Sequence, residues 1–286
     1  MFPILNIGLF QIGVYGICCT VGIILACLLA LYNGKKSNID KYNLILCFAA
    51  ILIGAFLGAK LLYFIIDFEG ICNMFEKYGF NFETLSNIIQ GGFVFYGGFI
   101  GGLIGILIFS KIMKVSPIHF ITIISPSVPL AHSFGRVGCF MAGCCYGIPS
   151  EKYGIAFTDS LGAPNGVKLF PVQLLEAALL LILAIIMQVY ISKSKHRHIT
   201  IYIYLFLYPI IRIFTEQFRY DTERGIYFGL STSTWISIGI ITAGMILLLI
   251  DIKKGLPEPV TPESIMPKLF DEDNEDKDKY KNKYSK

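Results

Sequence analysis

Seven stretches of the chain stay apolar for about 18 residues or more, the length a helix needs to cross the hydrocarbon core of a bilayer. They cover residues 7–32, 43–66, 92–110, 118–135, 171–191, 199–218 and 232–250. The first carries no charge and is followed by Lys35 and Lys36, the second carries Lys60, and the fifth opens on Pro171, a residue suited to a first helical turn. The fourth is the weakest, holding Pro126, Pro129, His132 and several serines. It is counted as a span, with a broken or re-entrant segment as the alternative. The pattern predicts an all-α integral membrane protein with about seven transmembrane helices.

The polar positions between the runs set the orientation, because Lys and Arg collect on the cytoplasmic side of a bilayer. With the N-terminus outside, the inner loops and tail hold ten of them: Lys35, Lys36, Lys41, Lys111, Lys114, Lys193, Lys195, Arg197, Lys253 and Lys254. The outer loops hold six, together with most of the loop acids. The reading is N-terminus outside and C-terminus cytoplasmic. The long loops, 67–91 and 136–170, then lie outside, so the working site is expected to open outward. Residues 1–252 read as one transmembrane domain. Residues 253–286 read as a polar, disordered cytoplasmic tail, with an acidic run at 271–276 that turns basic from Lys277. No cleavable leader is expected, since the first seven residues carry no side-chain charge, and Ile24-Leu25-Ala26-Cys27 reads as a chance match to a lipoprotein cleavage box.

Composition agrees and narrows the function classes. Of 286 residues, 15% are charged and 55% belong to the hydrophobic set, with 28 Gly besides. Mean hydropathy is +0.65. A soluble domain carries about 25% charged residues, so a disordered chain is excluded and the composition argues against a soluble globule. A net charge of +4 spread over this length makes no basic field, which argues against a nucleic-acid partner.

Charges inside the runs are the informative exceptions. Tyr208, Arg212, Glu216 and Arg219 recur at helical spacing, so all four are expected on one face of the sixth span. A charge at mid-bilayer costs roughly 2.5–3.5 kcal/mol, and pairing Arg212 with Glu216 at i,i+4 lowers that cost. Glu176 and Lys60 add two more charges within spans. Arg136 ends the fourth run inside a glycine frame made by Gly135, Gly138, Gly143 and Gly147. A guanidinium at headgroup depth with close backbone around it suits bidentate binding of phosphate. A second glycine stretch, from Gly91 to Gly105, repeats at every fourth residue and reads as close helix packing, with Tyr96 at its mouth.

Of the eight cysteines, Cys18, Cys19, Cys27 and Cys47 fall in spans and read as small apolar fillers. Cys139, Cys144 and Cys145 crowd into seven residues. Their C-x4-C-C spacing is not a standard zinc pattern, so no metal is expected. A disulfide or a reactive thiol stays open.

In order and spacing these blocks resemble the bacterial prolipoprotein diacylglyceryl transferase family over about residues 10–250. Val14-Tyr15-Gly16 is similar to that family's Trp-Tyr-Gly. Gly58-Ala59-Lys60-Leu61-Leu62-Tyr63 resembles its Gly-x-Arg-x-x-Tyr. Gly91-Gly92 through Gly97-Gly98 resembles its Gly-Gly-x-x-x-His-Gly-Gly. Gly135-Arg136-Val137-Gly138 with Gly147 resembles its Gly-Arg-x-Gly signature. Pro171-x-Gln173-x-x-Glu176 and Tyr208-x3-Arg212-x3-Glu216-x2-Arg219 match two further blocks. The chain departs from the pattern with Lys60 for Arg, Tyr96 for His, Cys139 for Asn and Cys144 for Glu.

The resemblance implies a multi-pass enzyme of the inner membrane, with an outward site, that serves lipoprotein biosynthesis. It would move a diacylglyceryl group from phosphatidylglycerol to the lipobox cysteine of a prolipoprotein signal peptide. Arg136, Arg212, Glu216 and Tyr96 would carry the chemistry. Arg136, Gly138, Gly143, Tyr15, Lys60, Tyr208 and Glu176 would hold the lipid. No cofactor is implied. A same-fold transferase with another thiol acceptor, a lipid transporter and a membrane interaction protein are the rival readings. The sequence has no internal repeat to favour the transporter, and an interaction protein leaves the buried Arg and Glu residues unexplained.

Overall fold

A computed structural model of the chain describes residues 3–7, 10–37, 39–90, 92, 94–220 and 225–255. Among these the architecture is all-α with three short hairpins. Five helices are long and apolar enough to cross a membrane. The described residues group into two compact units, one of residues 3–33 and 121–255, the other of residues 34–120.

The first unit opens on a hairpin, β1 (Ile4–Ile7) with β2 (Phe10–Gly13), which leads directly into α1 (Val14–Lys36). The expected span at 7–32 therefore begins late. Residues 10–13 pair as a strand across from 4–7 instead of starting the helix.

The second unit holds α2 (Lys41–Ile66), α3 (Phe68–Tyr78), α4 (Phe82–Gln90) and α5 (Phe95–Ile112). In α2 and α5 the small residues meet backbone to backbone. A Cβ built on Gly101 would lie 2.0 Å from the Gly54 carbonyl oxygen, and one on Gly58 would lie 2.2 Å from that of Gly97. The four-residue glycine repeat is thus a packing seam, as its spacing predicted. Gly101→Ala is expected to push α2 and α5 apart at the ~1–3 kcal/mol cost typical of overpacking, read as a lower thermal midpoint in detergent. Gly102→Ala, whose Cβ would sit 3.5 Å from Ile51, should leave that midpoint unchanged. Helices α3 and α4 occupy the stretch read as an outer loop. Asn81 Oδ1 accepts from the Thr84 amide and caps α4.

The fourth apolar run is two helices, α6 (Pro117–Ile124) and α7 (Ser127–Ala142). Pro126 has no N–H to continue α6 and disfavours helical backbone at Ser125 before it. The broken segment is the form the chain takes. Gly143, at φ +73°, ends α7, and its amide reaches back to the Phe140 carbonyl at 3.2 Å.

A small hairpin follows, β3 (Ile155–Ala156) with β4 (Lys168–Leu169), over a core of Phe157, Ala163 and Leu169. Next comes α8 (Val172–Lys193). Its buried residues, from Gln173 through Glu176, Ala177, Leu180, Leu183, Ala184 and Met187 to Ile191, form one stripe at helical spacing. Then follow α9 (Ile199–Glu216), a hairpin of β5 (Ile226–Tyr227) and β6 (Leu230–Ser231), and α10 (Thr232–Lys254). Ser231 caps α10 by accepting from the Thr234 amide. Two polar contacts tie helices within this unit. Asn33 of α1 and Gln188 of α8 exchange reciprocal amide hydrogen bonds of 2.9 and 2.8 Å. Tyr202 of α9 donates to Asp251 of α10.

Large apolar side chains stay exposed along these helices, among them Leu28, Ile53, Phe56, Leu107, Ile185 and Ile246. Such outward faces suit lipid, not water. The tail expected to begin at Lys253 is helical to Lys254, and from residue 256 it lies outside the described residues.

Candidate functional site

The buried stripe of α8 turns one carboxylate inward. Glu176 lies one turn past Gln173 and one turn before Leu180, and only 1% of its surface is exposed. An ionised carboxylate so placed needs cations around it, and three guanidiniums supply them. Arg136 of α7 brings a terminal nitrogen within 3.0 Å of Glu176 Oε1. Arg212 of α9 sits 3.4 Å from Oε2, and Arg219 sits 4.0 Å from the same oxygen. Arg212 also pairs with Glu216 at 2.8 Å, the i,i+4 contact that the spacing predicted. Three arginines and two glutamates leave the group with one net positive charge.

The arginines are not equivalent. Arg212 is spanned by two carboxylates. Arg136 is not: its contact with Glu176 is a charge contact without hydrogen-bond alignment, and among the described residues its Nε has no acceptor. Its fork therefore keeps donor capacity for an anionic ligand. Gly135 beside it is open, since a Cβ there would meet nothing within 4 Å. Gly138, one helical turn on, brings α7 against α1: a Cβ would lie 3.1 Å from the Tyr15 ring and 3.2 Å from Cys18.

Two neighbours complete this part of the site. The ring of His132, one turn before Arg136, lies 5.5 Å from that of Tyr208, and Tyr208 stacks on Tyr204 at 5.3 Å. Tyr208 and Glu216 share α9 with Arg212, as expected. Arg219 does not: α9 ends at Glu216, and the chain reaches Arg219 through a turn whose amide bonds to the Glu216 carbonyl. Its side chain still arrives at Glu176. The expectation of a single helical face is corrected for that residue.

Beyond α7, the sulfurs of Cys139, Cys144 and Cys145 gather within 4.8 Å of one another. Gln173 Nε2 donates to the Cys144 carbonyl at 2.8 Å and so links this turn to α8. The Cys145 thiol is held well below the usual thiol range by hydrogen bonds from the Cys139 and Cys144 sulfurs, reinforced by Arg219 and Arg136.

Lys60 and Tyr96 belong to the second unit. Lys60 Nζ donates to the Ile88 carbonyl at 2.8 Å and the Gly92 carbonyl at 3.3 Å, and it lies 4.8 Å from the Tyr63 ring. These contacts account for a lysine buried in an apolar helix. Tyr96 stands at the start of α5, partly exposed. The structure thus joins Arg136, Glu176, Arg212, Glu216 and Tyr208 in one group and Tyr15 with Gly138 beside it. Gln173 and Arg219, both noted in the sequence but given no role, join the site, and His132 is an addition to it. The i−3 position of Gln173 before Glu176 was the available signal for the first of them.

A model of the prolipoprotein diacylglyceryl transferase family matches residues 3–250. A phosphatidylglycerol–prolipoprotein diacylglyceryl transferase of Clostridium tetani is 34% identical over 238 residues, covering 83% of this chain and 92% of its own length. A second such enzyme, from Clostridium perfringens, is 35% identical over 245 residues, covering 85% and 93%. One from Finegoldia magna is 30% identical over 235 residues, covering 82% and 88%.

Proposed function

The chain belongs to the prolipoprotein diacylglyceryl transferase family, and from that premise we propose that it transfers the diacylglyceryl group of phosphatidylglycerol to the lipobox cysteine of a prolipoprotein. The thiol sulfur forms a bond to the glycerol carbon, the bond from that carbon to the phosphate oxygen breaks, and glycerol phosphate leaves. The thiol proton ends on the released phosphate or in water. Two needs follow: an incoming thiolate and compensation for phosphate charge.

The observation that carries this reading is the arginine group on Glu176, net positive, with an Arg136 fork that retains donor capacity. Arg136 and Arg212 take the phosphate in this mechanism, and Glu216 orients Arg212. Glu176 holds the guanidiniums in place. Tyr15, which Gly138 seats against α7, and Tyr208 flank the lipid in this mechanism, Gly143 turns the chain at the end of α7, and Lys60 is a separate lipid contact of the second unit. A lipobox thiol, with a pKa near 8.5, is already partly ionised at neutral pH, and a positive site ionises it further. The mechanism therefore needs no strong base at Tyr96, whose unperturbed pKa is about 10.

In the bilayer the five long helices, α5 and the broken α6–α7 segment make up seven passes of residues 1–252. The N-terminus and the site face outward from the inner membrane, and the polar tail lies on the cytoplasmic side. The loop charges support this orientation.

The test is direct. Purified chain with phosphatidylglycerol and a lipobox peptide is expected to raise the peptide mass by one diacylglyceryl group. A folded, lipid-binding protein that leaves the peptide unchanged would overturn the assignment. In the same assay Tyr96→Phe is expected to retain activity within about tenfold, well short of the 100-fold or larger loss that removal of a general base produces.

A further inference from the structure

We propose that Cys139, Cys144 and Cys145 form a binding site for a thiophilic d10 metal ion, with Zn2+ as the divalent cation of suitable size. The spacing in sequence gave no reason to expect it. The fold does, because α7 ends in a left-handed turn that folds the two later cysteines back toward the first.

Three observations carry the inference. The three sulfurs already lie within 4.8 Å of one another. Thiolates bound to zinc at about 2.3 Å stand roughly 3.8–4.0 Å apart, so side-chain rotation with little backbone movement suffices.

Second, the turn is built and held. The Cys144 amide bonds to the Cys139 carbonyl at 3.1 Å, the Leu161 amide to the Ala142 carbonyl at 3.0 Å, and the Ala163 amide to the Gly143 carbonyl at 2.8 Å. Gln173 fixes the Cys144 carbonyl from α8. Cys145 is kept at φ +57°, a left-handed conformation that costs a non-glycine residue about 1–2 kcal/mol. Strain of that kind persists where surrounding contacts over-determine it, and it marks functional sites.

Third, the charge closes. Three thiolates and one divalent cation carry a single negative charge, and Arg136 stands three residues before the first of the ligands. Ligation sends the thiol protons to solvent and changes no oxidation state. Three protein ligands leave one tetrahedral position for an exogenous ligand. Among the described residues this is the only cluster of His, Cys, Asp and Glu side chains close enough to hold a metal.

The experiment uses the full chain, purified reduced in detergent and titrated with Zn2+ against a chromogenic chelator. The expected result is one tight equivalent per chain. Co2+ in place of Zn2+ should give thiolate-to-metal charge-transfer absorption. Cys144→Ser should weaken binding by about 100-fold or more, at least the upper end of the loss that an outer-shell partner causes, while Cys18→Ser and Cys72→Ser should leave it unchanged. Should Cys144→Ser fail to fold, the unsubstituted chain still decides. Bound zinc should then protect Cys139, Cys144 and Cys145 from alkylation and leave other cysteines reactive. Zinc uptake unaffected by Cys144→Ser, protection at other cysteines, or a disulfide among the three in protein purified without oxygen would each overturn the site.

Discussion

Arg136→Ala is expected to reduce the transfer rate by about 100- to 1000-fold, the loss typical of removing one donor that stabilises charge in a transition state. Arg136 is singled out by its contacts. Arg212 lies between Glu176 and Glu216 and hydrogen-bonds the first at 3.4 Å, so two carboxylates hold it in place. Arg136 touches Glu176 with one terminal nitrogen only, and its Nε has no acceptor among the described residues. Removing it should therefore remove catalysis more than structure. Glu176 would keep Arg212 and Arg219, so the variant should fold, and its circular dichroism and thermal midpoint should stay close to those of the unsubstituted chain. Arg136→Lys keeps the charge and loses the fork, and should fall between the two. Initial rates with phosphatidylglycerol and a lipobox peptide, read by mass, decide the matter. Full activity in Arg136→Ala would remove the phosphate role from this residue.

Glu176→Gln is expected to have the opposite profile, with stability lost first and activity lost with it. The carboxylate is 1% exposed and serves three guanidiniums. Neutralising it leaves buried cations without their shared partner, a change that costs about 3–5 kcal/mol. For a domain of this size that corresponds to a drop of roughly 6–20 °C in thermal midpoint. Glu216→Gln provides the contrast. Glu216 pairs with Arg212 near the end of α9, and Arg212 keeps Glu176 when Glu216 is lost. Its midpoint should fall by less than half as much. Thermal unfolding of the two variants side by side in detergent tests the ranking, and equal midpoints would contradict the central place given to Glu176.

The long apolar runs were legible in sequence because each span must be apolar along its whole length. The run at 43–66 is helix Lys41–Ile66, and that at 171–191 is Val172–Lys193. Shorter elements escaped the same reading. Helices α3 and α4 are about half that length, and Glu69, Glu76, Lys77 and Glu83 interrupt their apolar positions, so they read as loop. The Pro126 break was visible as composition but not as geometry. In the site, the i,i+4 pair of Arg212 with Glu216 follows from local spacing alone. The bonds from Glu176 to Arg136 and Arg219 join residues about 40 positions apart, and no periodicity encodes them. Glu176 therefore read as one more charge in a span instead of the group that gathers the others. The thiol cluster was hidden for a related reason: the left-handed backbone at Gly143 and Cys145 brings the sulfurs together, and side-chain spacing does not report backbone handedness.

The reciprocal amide pair between Asn33 and Gln188 has a consequence for biosynthesis. The partners are 155 residues apart in the chain. At about 5–20 residues per second of translation, α1 enters the membrane roughly 8–30 seconds before α8 exists to receive it. During that interval Asn33 must satisfy its amide elsewhere. Its position makes the wait tolerable: it stands just before Lys35 and Lys36 at the end of α1, at a depth where headgroups and water are within reach. The same amide placed at the middle of α1 would have to wait in hydrocarbon. The order of synthesis thus limits where along its first helix this protein can keep a polar tie to its later ones.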